Sequence, residues 1–282
     1  MSSIQIVHET LYSFSQSVFI EPHILRLLPK TIGGENPKPF ELEIEPKPSG
    51  LKKILDEENN YCHVAWFDEM SDHLKVKSTS VLPIAEYNPF DYLIYPFAFQ
   101  QMPVRYSDVQ NERLALAKST EPIGAPLIHY GQEMIKASDG QVSVLLTKIN
   151  TQIHSDFETI YREEGDPYTP DKTWELKKGS CRDLSWMQIQ LLRSMGFACR
   201  FVSGYFYADI DAYELHAWVE VFIPGGGWIG FDPSYGIAAG STHFPMSVSS
   251  HYENTMPVTG TFRGSATSKL STKVVMRPVE LG

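Results

Sequence analysis

Between positions 40 and 45 the chain reads Phe-Glu-Leu-Glu-Ile-Glu, and at 74–77 Leu74 and Val76 alternate with Lys75 and Lys77. A strict period of two suits an extended strand with one wet face, since a helix would scatter the same residues around its axis. Ile4, Ile6, Tyr12 and Phe14 begin a similar pattern, and Pro22, Pro29, Gly33-Gly34, Pro46-Lys47-Pro48 and Asn59-Asn60 punctuate the runs. A β-sandwich-like unit is expected at the start of the chain.

From 81 to 106 prolines recur at Pro83, Pro89, Pro96 and Pro103 among Phe90, Tyr92, Tyr95, Phe97 and Phe99. Prolines at that density interrupt helix and ladder alike, whereas the aromatics favour burial, so a packed connector is expected, with a boundary near residue 105. Helical spacing follows: Val142, Leu145, Leu146, Ile149 and Ile153 form one apolar stripe, which Ser138 or Asp139 could cap. A second helix is expected to start at Ser180-Cys181, to bury Leu184, Leu191, Leu192 and Met195, and to end at Gly196. Residues 201–207, 215–223 and 228–231 read as strands, the last two joined by a Pro-Gly-Gly-Gly turn, and 246–279 adds strand-like segments expected to pack on one of the sheets.

At 282 residues the chain exceeds a common domain of roughly 100 to 150 residues. The division expected is a β-rich region with its connector at 1–105 and a helix-plus-antiparallel-sheet core with C-terminal strands at 106–282, an α+β protein overall. A net charge of −10, from 34 acidic and 24 basic residues without a basic stripe, argues against a nucleic-acid partner. The opening MSSIQIVHET has neither the charged nor the apolar region of a signal peptide, and no stretch reaches the roughly 20 apolar residues of a membrane span, so a soluble, cytoplasmic chain without a membrane partner is expected.

The three cysteines, Cys62, Cys181 and Cys199, include no CxxC pair and suggest neither a disulfide framework nor a zinc knuckle. Cys62 and Cys199 lie inside strand-like runs and read as buried hydrophobes. Cys181 differs because a first-turn position faces the sulfur with unpaired N–H groups and the positive end of the helix dipole, which stabilise a thiolate. Strand phase marks His216 as a base: between 215 and 221 Leu215, Ala217, Val219 and Val221 share one face, and His216, Trp218 and Glu220 the other. Asp232, ending the next strand before Pro233, can hold the second ring nitrogen of that histidine. Asp183 reads as support for the first helical turn. Tyr161, Tyr168, Trp174 and Glu175 all precede the nucleophile as candidates to help stabilise an oxyanion.

The segments GSCRDLSWMQIQLLRSMGFACRFVSGYFY from Gly179, ELHAWVEVFIPGGGWIGFDPSYG from Glu214 and HETLYSFSQSVFIEPHILRLLP from His8 together resemble the bacterial transglutaminase-like cysteine peptidases and their N-terminal region, over nearly the whole chain. The resemblance implies a papain-like α+β core after a β-rich domain and a catalytic triad of Cys181, His216 and Asp232. It also implies a peptide, protein or amide substrate and no metal or other cofactor. Two segments depart from the family: Asp-Pro-Ser-Tyr stands at 232–235 in place of Asp-Pro-Thr-Asn, and HFPMSVSSHY at 243–252 replaces the more usual Gly-Arg-Asp-Tyr segment. Hydrolysis is the expected outcome. Transamidation needs the same residues, and a silent peptide-binding module would share the fold.

Overall fold

The computed structural model describes residues 2–31, 39–162, 165–208 and 212–280, so the Gly33-Gly34 break lies outside the described residues. Two long strands, β1 (Ser2–Ile20) and β6 (Met70–Pro83), run antiparallel as the spine of the first sheet. A short β2 (His23–Leu25) leaves it for a second sheet, while β3 (Phe40–Glu45) pairs with β6 in the alternation read from the sequence: Phe40, Leu42 and Ile44 are half-buried and the glutamates exposed. Strands β4 (Gly50–Leu55) and β5 (Tyr61–Trp66) complete the second sheet beside β2. Ile4, Ile6, Leu25, Ala65, Leu74 and Val76 are buried together in one core.

The connector is packed only in part. Ile94, Phe99 and Tyr106 are buried, and the Tyr106 hydroxyl donates to the Phe222 carbonyl and accepts from the Ala198 N–H, whereas Phe90, Tyr95 and Phe97 are at least half exposed. The cause is that this segment meets the core through its backbone. Tyr95 N–H donates to the Pro224 carbonyl, and a Cβ on Gly225 would lie 2.1 Å from the Leu93 carbonyl, so the aromatic rings turn outward.

Next come α1 (Asp108–Arg113), α2 (Ala125–Ala137), α3 (Val142–Asp156), β7 (Glu158–Thr159), α4 (Pro170–Leu176), β8 (Lys178–Gly179) and α5 (Cys181–Ser194). The expected α3 stripe is buried, but neither Ser138 nor Asp139 caps the helix. The Ser138 hydroxyl is spent on the Ile135 carbonyl at the end of α2, and Asp139 occupies the intervening turn at φ 49°. Helix α5 is enclosed on almost every side and stops before Gly196, whose φ of +98° suits a residue without a side chain.

Five strands back α5: β9 (Cys199–Phe206), β10 (His216–Ile223), β11 (Gly227–Asp232), β12 (Ile237–Ala238) and β13 (His243–Ser249), in the order β12-β11-β10-β9-β13. The last segments, β14 (Val258–Thr259), β15 (Phe262–Arg263) and β16 (Ser268–Glu280), return to the first half of the chain. β14 pairs with β2, and β16 pairs with β1 from Ser2 opposite Glu280 to Phe14 opposite Ser268.

Tyr205, Phe244 and Met246, from β9 and β13, sit in the core that also holds Ile4 and Ile6, so the two halves share apolar burial. Buried His8 on β1 is 2.9 Å through Nδ1 from the Tyr205 hydroxyl, and burial pushes its pKa down to about 4, so it packs there neutral. Among the described residues no helix is long and apolar enough to cross a membrane.

Candidate active site

Cys181 is the first residue of α5, half-buried, with Ser180 as an extended N-cap at φ −74° and ψ 172°. The turn is tied by Asp183, a fully buried carboxylate. It accepts from the Ser180 N–H at 2.7 Å, the Ser180 hydroxyl at 2.8 Å and the Tyr168 N–H at 2.7 Å, and it pairs with Arg162. Arg182 donates to the Arg162 carbonyl at 2.7 Å. Asp183 therefore clamps the loop before α4 to the start of α5, a larger role than complementing the helix dipole. Gly179 is required at this turn because a Cβ there would lie 2.6 Å from the Asp183 Cβ, so a side chain would push the clamp off the turn.

His216 begins β10 in the phase read from the sequence. Ala217, Val219 and Val221 enter the α5 core, while Trp218, on the His216 face, is buried in a small cluster with Val202, Ala239 and Val248. Glu220 on that face pairs with Arg200 at 2.6 Å. The face is thus closed along most of β10, and His216 stands where it reaches the cleft.

The β10–β11 ladder ends at Val219 opposite Phe231, and Asp232 is the next residue. Its Oδ2 lies 2.6 Å from His216 Nε2, and Cys181 lines the same cleft as His216 and adds to what favours charge on the ring. Burial disfavours charge on His216, but the Asp232 carboxylate and the contacts with Asp232 and Cys181 outweigh it and raise its pKa to about 10. Burial likewise acts to raise the Asp232 pKa, and the two histidines beside it hold it well below the ordinary carboxylate range instead.

The second of those histidines is one that sequence reasoning missed. His243, buried at the start of β13, places Nε2 3.2 Å from the same Asp232 oxygen. The Gly240 N–H donates to His243 Nδ1 at 3.2 Å, which puts the ring hydrogen on Nε2 and makes His243 a neutral donor to the carboxylate. The Ser234 N–H supplies Asp232 Oδ1 at 3.0 Å. The Phe206 ring packs over both imidazoles, 5.6 Å from His216 and 4.5 Å from His243 between centroids. One nitrogen of each histidine and an Asp232 oxygen lie within 4.8 Å of one another, a set that could also hold a metal ion; the hydrogen bonds just described already use all three.

His243→Phe is expected to lower turnover about tenfold, the scale of one charge-assisted hydrogen bond, with His243→Gln recovering most of it because it keeps a donor. Equal losses in both variants would mean that His243 only fills space.

A cleft of about 1050 Å³ joins Cys181 and His216 to residues of both halves of the chain. Of the four oxyanion candidates ahead of Cys181, Tyr161 is the one that lines it. Tyr168 lies beneath Arg162 and Lys172, Trp174 packs against Tyr130 and Phe157, and Glu175 is exposed. Tyr235, in the departing 232–235 segment, is on the cleft wall against Phe206 and the edge of His216. Cys62 and Cys199 are buried away from the cleft.

Residues 130–233 match the transglutaminase-like superfamily core, and residues 4–82 match the bacterial transglutaminase-like N-terminal region. An uncharacterised Mycobacterium leprae protein is 29% identical over 104 residues, 34% of this chain and 37% of its own. A protein-glutamine gamma-glutamyltransferase of Pseudomonas aeruginosa is 30% identical over 77 residues, 24% of this chain and 12% of its own. The matches span well under two thirds of those relatives. A candidate cysteine protease from Cytophaga hutchinsonii superposes at a TM-score of 0.69 with 14% identity, over 100% of this chain and 92% of that one, a likeness of fold. With both regions matched in chain order, the chain carries a transglutaminase-like superfamily core at 130–233, preceded at 4–82 by the bacterial transglutaminase-like N-terminal region.

Proposed function

We propose that the protein is a cysteine-dependent acyl-transfer enzyme that hydrolyses peptide or amide bonds, with Cys181, His216 and Asp232 as its catalytic residues. The observation that carries this reading is that Cys181 and His216 line one cleft, with His216 tied to buried Asp232 at 2.6 Å. A histidine held charged beside a first-turn cysteine stabilises a thiolate. The Cys181 sulfur attacks the carbonyl carbon, and the carbonyl electron pair moves to oxygen. As the intermediate collapses the C–N bond breaks, and His216 gives its proton to the leaving amine. Water then adds to the thioester with His216 taking its proton, and the S–C bond breaks to release the acid. If an amine takes the place of water the same residues form a new amide, the reaction class for which the Pseudomonas relative is named.

Two measurements test the proposal. At pH 6 iodoacetamide is expected to label Cys181 more than about 100-fold faster than Cys62 or Cys199, whose pKa values are pushed up to about 11 (by burial and nearby Asp56) and about 12 (by burial). His216→Ala is expected to slow Cys181 labelling about tenfold or more at that pH; an unchanged rate would remove the ion pair from the mechanism. In the second, wild type and Cys181→Ala are compared on casein with and without monodansylcadaverine. Cleavage that depends on Cys181 supports hydrolysis, dansyl incorporation would make the acceptor an amine, and no Cys181-dependent change would favour a non-catalytic module.

A further inference from the structure

The C-terminal strand borders the cleft in an unusual way: Leu270, Ser271, Thr272, Lys273, Val274, Val275, Met276 and Arg277 all line it. Successive side chains of a strand point to opposite faces, so a strand can line one cleft with eight consecutive residues only by turning its backbone edge toward it. The pairing agrees. β16 is bonded to β1 along one edge, and among the described residues its other edge carries a single bridge, Val274 with Tyr213, formed antiparallel. That bridge lies three residues before His216, and it shows the edge already taking a backbone partner at one end. From Ser268 to Lys273 no strand among the described residues pairs with the cleft side. The flank of this stretch is formed by Thr10 and Tyr12 from β1, and the same cleft continues without a break to Ser180, Cys181 and His216.

We propose that the β16 edge at Ser268–Lys273 binds the substrate as an added strand, so that the protein takes extended, unfolded polypeptide and presents it to Cys181. The inference rests on the acyl-transfer reading of Cys181 and names its substrate class. Backbone N–H and C=O groups supply the recognition, as in other sheet-edge peptide sites, and selection among sequences is correspondingly broad. A folded protein can offer this edge a partner only from an exposed edge strand or an extended loop, whereas an unfolded segment offers one along its whole length. The N-terminal region contributes β1, which holds β16 in place, and so becomes part of the substrate-binding apparatus.

Hydrogen–deuterium exchange on the full Cys181→Ala chain tests this, with reduced, carboxymethylated casein as the extended polypeptide and poly-L-proline as a polypeptide without N–H donors. Casein is expected to slow the outward-pointing amides within 268–273 at least tenfold, and poly-L-proline to leave them unchanged. Because a backbone-driven site tolerates sequence, casein that protects other parts of the cleft but leaves 268–273 unchanged, or that protects nothing, overturns the proposal. A burst of p-nitrophenol from p-nitrophenyl acetate, present in wild type and absent in Cys181→Ala, is measured in parallel. Its absence would defeat the acyl-transfer reading alone, since the ester is too small to need the strand edge, while protection at 268–273 would still stand for the binding site.

Discussion

Asp232→Asn is expected to lower turnover of an amide substrate by about 10³ to 10⁴, with the fold unchanged. Asparagine can turn its amide nitrogen toward His216 Nε2, which stabilises the wrong tautomer and removes the charge that keeps the ring protonated. Burial alone then acts on His216 together with the weaker Cys181 contact, so the ring is expected to titrate at or below about 6.5 in place of about 10. Imidazole nitrogen shifts followed by NMR from pH 5 to 10 would show this directly. A variant that keeps more than a tenth of its activity and an unmoved His216 titration would remove Asp232 from the proposed triad.

Stability follows the same pair. His216, raised on folding, contributes stability that is complete below about pH 6.5 and is lost as pH rises through about 10. Asp232, depressed on folding, contributes stability that is present above about pH 3.9 and lost as pH falls. The advantage of wild type over Asp232→Asn is therefore expected to be greatest between about pH 4 and 6.5.

Asp183→Ala is expected to cost about 3 to 5 kcal/mol, the scale seen when one member of a buried ion pair is removed. The loss has two sources: Arg162 keeps a largely buried charge without its partner, and the Ser180 and Tyr168 N–H groups lose their acceptor. Denaturant unfolding at pH 7 measures it, and a cycle with Arg162→Ala separates the pair from the hydrogen bonds. Because Cys181 lies between Ser180 and Asp183, the variant is also expected to lose the selective alkylation of Cys181 at pH 6. A cost below about 1 kcal/mol would mean that the clamp is not what holds the turn.

The features legible in the sequence were those with a local signature. The α5 start, the stop at Gly196, the phase of β10 and the alternation in β3 each follow from a few neighbouring residues, and the structure reproduces them. His243 was not legible because its place depends on sheet order: β13 lies beside β9, away from its neighbours in sequence, and its pairing is shifted at Pro245, which hides the strand pattern. Helix α4 did carry a signal, Thr169 as N-cap with Pro170 at the first position, but its seven residues form too short a stripe to read. Helix α2 buries only Leu127 and Gly131, so its apolar face is faint. The tail reads as strands, yet the sheet it joins is set by contacts with residues at the other end of the chain.

That last pairing governs when the molecule can come into being. Ser2 meets Glu280 and Phe14 meets Ser268, so the sheet built on β1 lacks one of its strands until residues 268–280 have emerged from the ribosome. The α5 helix and its five strands can assemble earlier, but the cleft that holds Cys181 has no wall along 268–277 until β16 docks. On the proposed reading, the Cys181 side of the cleft therefore forms before the β16 edge that would grip a polypeptide, and synthesis itself would separate the thiol from the chain's own unfolded segments.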